Sequence, residues 1–209
     1  MGKVQEMTQY GFYYNNHQCS GCRTCQVACK DKNNLQGGVL FRKVMTYETG
    51  SYPNPGYFHV SISCNHCAQP ACTEVCPTGA MEKNTETGIV MHDDEKCIGC
   101  ESCAKACPYE QPRLIESLGI VQKCTLCHDH IARGENPVCV DACPLRALEW
   151  GKLDDLKSKH PEAISSIVAL PDESQTNPTA GWRECNVNVL TKNDAPFNEV
   201  YGSYTNRGF

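Results

Sequence analysis

The sequence predicts a loop-rich α+β fold of short hairpins and short helices, organised around sulfur ligands rather than a large aliphatic core. Three observations predict it. Cysteine supplies 17 of the 209 residues, whereas Leu, Ile, Val and Phe together supply 38, under a fifth of the chain. With a formal charge of only −5, so thin an aliphatic content does not read as disorder, and the cysteines become the source of order. Nor are the cysteines scattered: sixteen fall into four quartets and only Cys185 stands apart.

Several function classes fall away on composition. The longest apolar run, Ile164 to Leu170, is seven residues long and holds two serines, so no membrane span is expected. The first 18 residues carry no charged n-region, apolar h-region or twin arginine, and no export signal of the chain's own is expected. Nineteen basic against 24 acidic residues, with no basic run, argue against nucleic acid as a partner. No Ser–His–Asp set, phosphate loop or dinucleotide loop is present, so no substrate chemistry is expected on this chain.

Taken in order, the first quartet is Cys19, Cys22, Cys25 and Cys29, with gaps of two, two and three residues. The second is Cys64, Cys67, Cys72 and Cys76 with gaps of two, four and three, followed by Pro77. The third, Cys97, Cys100, Cys103 and Cys107, repeats the gaps of the first and is followed by Pro108. The fourth, Cys124, Cys127, Cys139 and Cys143, has gaps of two, eleven and three, then Pro144. The first and third repeat the bacterial ferredoxin spacing, except that Lys30 stands where a proline would follow Cys29. A four-iron cubane offers one iron corner to each of four thiolates. A tight triplet can curl around three corners, while the three-residue step enters a helical turn and carries the fourth cysteine away to a second cluster. Two such clusters would lie on the order of 10 Å apart, given about 6 Å of helical rise over four residues. A protein built this way is an electron relay.

Other uses of cysteine fit less well. Zinc takes paired C-x2-C dyads rather than tight triplets, and a disulfide framework belongs to short secreted chains. Cys124 to His128 matches a haem attachment string, but that reading strands Cys139 and Cys143; His128 then simply follows the loop at a helix start. His66 lacks the paired pattern of a Rieske site and is read as a residue behind the ligands or at the surface. Cys185 is read as a plain thiol.

Between the quartets the pattern is strand-like. Cys76 to Lys83 leads through a Thr/Asn/Gly turn to Gly88 to Met91, which predicts two short strands joined as a hairpin; Cys143 to Gly151 echoes its first strand. Val39 to Tyr47 and Tyr57 to Ser63 alternate as strands across a loop at Gly50 to Gly56. Residues 125–133, closed by Gly134, predict a brief helix, and Leu153 to His160 another. Arg23, Lys30, Lys96, Lys105 and Lys123 flank the ligands and would raise local potentials. Compensation is needed, since four oxidised clusters of about −2 each would take the charge from −5 to about −13.

The quartet order, the gaps, and stretches such as Ser63-Cys64-Asn65-His66-Cys67, Cys76-Pro77-Thr78-Gly79-Ala80-Met81 and Cys143-Pro144-Leu145-Arg146-Ala147-Leu148 resemble the iron–sulfur subunits of dimethyl sulfoxide reductases. More widely they resemble the four-cluster subunits of membrane-associated molybdopterin oxidoreductases. Gln9-Tyr10-Gly11-Phe12 and Ala163 to Pro171 are similar too, so the resemblance covers nearly the whole chain. It implies a ferredoxin-like fold of two pseudo-symmetric double-cluster modules over residues 1–160, the inner about 58–110 and the outer from the flanks. Residues 161–209 are then an arm docking on a partner, a disordered tail being the alternative.

The resemblance implies four [4Fe-4S] clusters: one on Cys19, Cys22, Cys25 and Cys143; the next on Cys29, Cys124, Cys127 and Cys139; a third on Cys64, Cys67, Cys72 and Cys107; and the last on Cys76, Cys97, Cys100 and Cys103. Nitrate reductase relatives replace the second cysteine of the third quartet with tryptophan and hold three irons there; Cys100 implies four. The implied partners are a molybdopterin catalytic subunit next to the first cluster and an integral-membrane anchor subunit next to the last, with the chain itself non-catalytic. Location at the outer membrane face by co-export is implied, the cytoplasmic face being the alternative. A free ferredoxin-like carrier is the rival reading; it would leave half the quartets and the tail without a task.

Overall fold

The computed structural model describes residues 8–49, 52–53, 56–161, 163 and 182–184. Strand β1 (Tyr10–Asn15) leads into helix α1 (Thr24–Lys32), then a hairpin of β2 (Arg42–Thr49) and β3 (Gly56–Ser63). Helix α2 (Ala71–Glu74) precedes a second hairpin, β4 (Met81–Lys83) with β5 (Val90–His92). Helix α3 (Ser102–Ala106) precedes a third, β6 (Arg113–Ile115) with β7 (Ile120–Gln122). The described residues continue through α4 (His128–Ala132), α5 (Val138–Asp141), β8 (Leu148–Lys152), α6 (Leu153–Lys159) and β9 (Trp182–Glu184). It is a ferredoxin-like arrangement of small sheets and short helices, as the sequence predicts at that level.

Two strand pairs repeat one construction. In each, a cysteine and proline are followed three residues after the cysteine by a left-handed residue, Gly79 (φ 66°) or Arg146 (φ 54°), then a buried alanine. A strand begins on the next residue: β4 at Met81, β8 at Leu148. β4 pairs antiparallel with β5, and β8 pairs antiparallel with β1, Phe12 lying opposite Trp150. The N-terminal strand thus serves β8 as β5 serves β4, and each leads into a tight cysteine triplet. β9 extends the β1 sheet in parallel, with Tyr13 opposite Trp182.

Four boundaries differ from the sequence reading. The helix expected over 125–133 is confined to α4, because Leu126 and Cys127 take left-handed φ of 57° and 52°. The strand expected from Val39 begins at Arg42, and that expected from Gly88 begins at Val90. The fourth cysteine of a quartet lies inside a helix only at Cys29. Cys107 is already extended (ψ 112°) at the end of α3, and Cys76 and Cys143 lie two residues beyond α2 and α5. The following proline explains this: it cannot continue a helix and biases the residue before it away from helical angles. Lys30 imposes no such stop, so α1 runs nine residues. Ala163 is buried against Tyr13 and Leu156; the rest of the stretch to Pro171 lies outside the described residues, as does the tail but for β9.

The core forms around the sulfurs. Cys25, Cys139 and Cys143 pack with Phe12, Tyr14, Val44 and Leu148. Cys29, Cys64 and Cys124 pack with Leu35, Phe41 and Ile115, and Cys72 and Cys103 with Met81, Val90 and Val121. The third hairpin seals one end, and its turn lies directly on the Cys97–Cys100 loop. A Cβ on Gly99 (φ 68°) would stand 2.2 Å from the Gly119 carbonyl oxygen, which is backbone and cannot swing aside. Gly99→Ala should therefore destabilise the protein by about 1–3 kcal/mol through left-handed strain and this clash. Faster labelling of Cys97 and Cys100 by a thiol reagent should accompany it. Gly37→Ala, with nothing within 4 Å, should leave both measurements unchanged.

Candidate metal centres

All sixteen cysteines among the described residues are free thiols, so no disulfide framework is built there. Cys185 lies outside the described residues. The sixteen gather in four groups, each drawing one thiol from a quartet that supplies the other three to a neighbour. A cavity of about 330 Å³ is lined by Cys19, Cys22, Cys25 and Cys143. Another, of about 370 Å³, is lined by Cys64, Cys67, Cys72 and Cys107. Cys29 feels the charges of Cys124, Cys139 and Cys127. Cys103 feels those of Cys76 and Cys97, and Cys100 that of Cys76.

Contacts between groups have an order. Cys139 of the second group feels Cys25 of the first. Cys64 of the third feels Cys124 of the second, and Cys72 of the third feels Cys103 of the fourth. At the two extremes lie Cys22 and Cys100, the exposed thiols among the sixteen.

The loops aim hydrogen-bond donors at sulfur. Gly21, His66 and Leu126 each sit two residues after the first cysteine of a C-x2-C loop with φ of 69°, 44° and 57°. That twist turns their N–H groups onto Cys19 (3.4 Å), Cys64 (3.5 Å) and Cys124 (3.4 Å). Val121 donates to Cys97 at 3.3 Å and Ala147 to Cys143 at 3.3 Å. The exposed cysteines instead have a hydroxyl two residues on: Thr24 donates to Cys22 at 3.4 Å, and the Ser102 hydroxyl lies 3.5 Å from Cys100. These hydroxyls, with the adjacent backbone N–H groups, hold both thiols below their ordinary pKa.

Burial acts the other way. It pushes Cys64 up to about 12 against the pull of Lys123, Cys127 to about 12, and Cys72 and Cys103 to about 11. Groups of thiols so placed become thiolates together only with a positively charged partner of their own. Among the described residues no three His, Cys, Asp or Glu side chains are set to hold a single metal ion. Sulfurs that ring a cavity suit a polynuclear cluster taking one thiolate per iron, where a zinc ion would draw all four to about 2.3 Å. The donor set therefore fits iron–sulfur clusters.

The expected flanking cations divide. Lys123 is fully buried and donates to the Val90 carbonyl and, at 3.0 Å, to that of Cys124. Lys30 instead ties the loop after α1 through the carbonyls of Gln36 and Val39, and Lys96 pairs with Asp93 at 2.9 Å. Arg23 lines the first cavity, and Lys105 is exposed. His66 is buried, its Nδ1 accepting from the Val90 N–H at 3.0 Å, which places it behind the ligands rather than on the surface. His128 is exposed at the start of α4, while Cys124 and Cys127 lie with Cys29 and Cys139. Sequence reasoning missed Arg42, which is buried against thiols of two groups. Its signal was a charge in phase with Val44 on the inward face of a strand.

Residues 56–153 match the family of 4Fe-4S dicluster domains. The chain is similar to the B polypeptide of anaerobic dimethyl sulfoxide reductase from Escherichia coli strain K12, with 44% identity over 179 residues, 82% of this chain and 86% of that protein. The corresponding polypeptide of the Haemophilus influenzae enzyme is 45% identical over 181 residues, 82% and 87% of the two chains. The B polypeptide of sulfite dehydrogenase from Allochromatium vinosum is 38% identical over 179 residues, 76% and 75% of the two.

If each group of four is a complete ligand set, Cys185 has no ligand role. Cys185→Ser should leave iron and acid-labile sulfide per chain unchanged; loss of about a quarter of the iron would mean the cysteines are partitioned differently.

Proposed function

The protein belongs to the family of iron–sulfur polypeptides that includes the B polypeptide of anaerobic dimethyl sulfoxide reductase, and on that premise we propose that it holds four [4Fe-4S] clusters as a linear relay. Its place as an iron–sulfur electron-transfer subunit of a dimethyl sulfoxide reductase-like complex follows from membership. The relay joins a molybdopterin catalytic subunit to a membrane anchor that reacts with quinol or quinone. The observation that carries this reading is the interleaving of thiols, each group built from two quartets.

The ligand sets are the four groups: Cys19, Cys22, Cys25 and Cys143; Cys29, Cys124, Cys127 and Cys139; Cys64, Cys67, Cys72 and Cys107; Cys76, Cys97, Cys100 and Cys103. When bound, each cluster takes up and gives back one electron at a potential set by nearby charge, hydrogen bonds to sulfur and solvent exposure. The chain's own residues supply those settings. Leu126 and Val121 keep water from the inner thiols, and the left-handed residues keep N–H groups on the sulfurs. The repeated construction supports the two modules: the second and third quartets share one pair of groups, the first and fourth the other.

Both ends of the series are suited to protein contact. Val27 and Leu145 are exposed beside the first group, and Val75, Ile98 and Leu118 beside the fourth. The first end faces the molybdopterin subunit and the fourth the anchor. Among the described residues no helix is long and apolar enough to cross a membrane, so attachment runs through that anchor. Residues 161–209 dock on a partner subunit, and the complex sits on the outer membrane face by co-export with the catalytic subunit.

Anaerobically purified complex should hold about 16 iron and 16 sulfide per copy of this chain. Cys100→Ala should convert the fourth site to a three-iron centre and cut quinone-linked turnover sharply. A soluble dye that donates directly to the catalytic subunit should still support turnover. Equal loss of both activities in intact complex would sink the order of the relay.

A further inference from the structure

Arg42 opens β2 and is 2% exposed. An arginine so buried is expensive unless negative charge surrounds it, and no carboxylate is paired with it among the described residues. Its guanidinium lies 4.6 Å above the Phe12 ring. Nη1 donates to the Ser61 hydroxyl at 3.1 Å and Nη2 to the Ser63 hydroxyl at 2.9 Å. The Ser61 oxygen is itself 3.5 Å from Cys25 Sγ, in the first thiol group. Its charge also acts on the Cys139 thiol of the second group, which packs in one core cluster with Cys25. Nε is buried with no hydrogen-bond partner, an orphaned donor in a sulfur-lined space. A guanidinium keeps its proton in a folded protein, so this buried group is a fixed positive charge.

We propose that Arg42 is a shared countercharge between the first and second thiol groups, anchored by Ser61 and Ser63, that raises the reduction potentials of both clusters held there. Arg42 is thus a positioning and tuning residue rather than a ligand. One fixed charge between two centres acts on both at once, so an electron on either is stabilised and neither becomes a deep trap. Lys123 does not duplicate it: that ammonium faces Cys64 and Cys72 of the third group. Group four, at the exposed end, has neither cation.

The inference rests on the four-cluster reading, and iron content separates the two. Wild-type complex short of about 16 iron would fail that reading. The test is a potentiometric titration of intact complex followed by electron paramagnetic resonance, comparing wild type, Arg42→Gln and Arg42→Lys. In Arg42→Gln, two of the four centres should lose reducing equivalents tenfold or more at a fixed potential, equal to a downward shift of at least 59 mV. The signal altered by Cys100→Ala should not be one of those two, and Arg42→Lys should recover most of the shift. Full iron with all potentials unmoved, or all four moved equally, would overturn the proposal. If Arg42→Gln instead drops to about 8 iron, Arg42→Lys decides. Restored iron with near-native potentials supports the countercharge, whereas the same loss would show that shape, not charge, is what the site requires.

Discussion

Nine of the sixteen thiols in the described residues are buried, and a buried thiolate beside other thiolates is repelled by its neighbours while being denied water. That repulsion is the constraint around which the rest of the structure is arranged. Burial first, and neighbouring thiolates after it, push several of the inner cysteines up to about 11 or 12. Iron supplies most of the opposing charge, so cluster binding and folding are one free-energy change rather than two. What the protein itself adds is smaller and geometric: left-handed loop residues that turn N–H groups onto sulfur, two buried cations, and hydroxyls beside the exposed ligands.

The need for N–H donors explains why regular structure is so scant. Most residues in a helix or a hairpin ladder have their N–H committed to a backbone partner, Val121 of β7 being an exception that donates to Cys97. The N–H groups of Gly21, His66 and Leu126 are free for sulfur because the left-handed twist takes them out of any ladder. Helices therefore start late and stop early around the second, third and fourth quartets, and the hairpins act as clamps between loops. Apolar side chains such as Leu126 and Val121, 0% and 1% exposed, then serve to keep water from the sulfur. This is how a chain with few aliphatic residues can still be well ordered.

The four quartets and the second hairpin were legible because they are local. Ligand spacing and the turn between Lys83 and Gly88 depend on neighbours a few residues away. What sequence reasoning missed was contributed by distant parts of the chain. β1 gave no strand signal, since it is apolar on both sides, Phe12, Tyr13 and Tyr14 all being buried. Its partner β8 lies more than 130 residues away, opposite it in register from Tyr10 to Tyr14. The third hairpin has strands of three residues each, too short for alternation to be read. α5 owes its start to Pro137, whose fixed φ prepares a helical turn, inside a gap that had been filled with a single helix.

Arg42 shows the deepest reason for the limits of such reading. By composition it is one of 19 basic residues and sits nowhere near a cysteine in sequence. The lysines that do flank the quartets were the natural candidates for compensating charge. Lys96 and Lys105 stand in water, where a positive charge is screened within about 10 Å and has little hold on a buried sulfur. Charge acts strongly only where solvent is excluded, and exclusion is a property of the folded interior. β2 and β3 bring Arg42 opposite Ser63, with Ser61 next along the same face. The two serines hold the guanidinium still between groups drawn from opposite ends of the chain. Proximity in sequence therefore groups the cysteines, while influence over them is decided by burial, and burial passes it to a strand residue and to Lys123 alone among the flanking lysines.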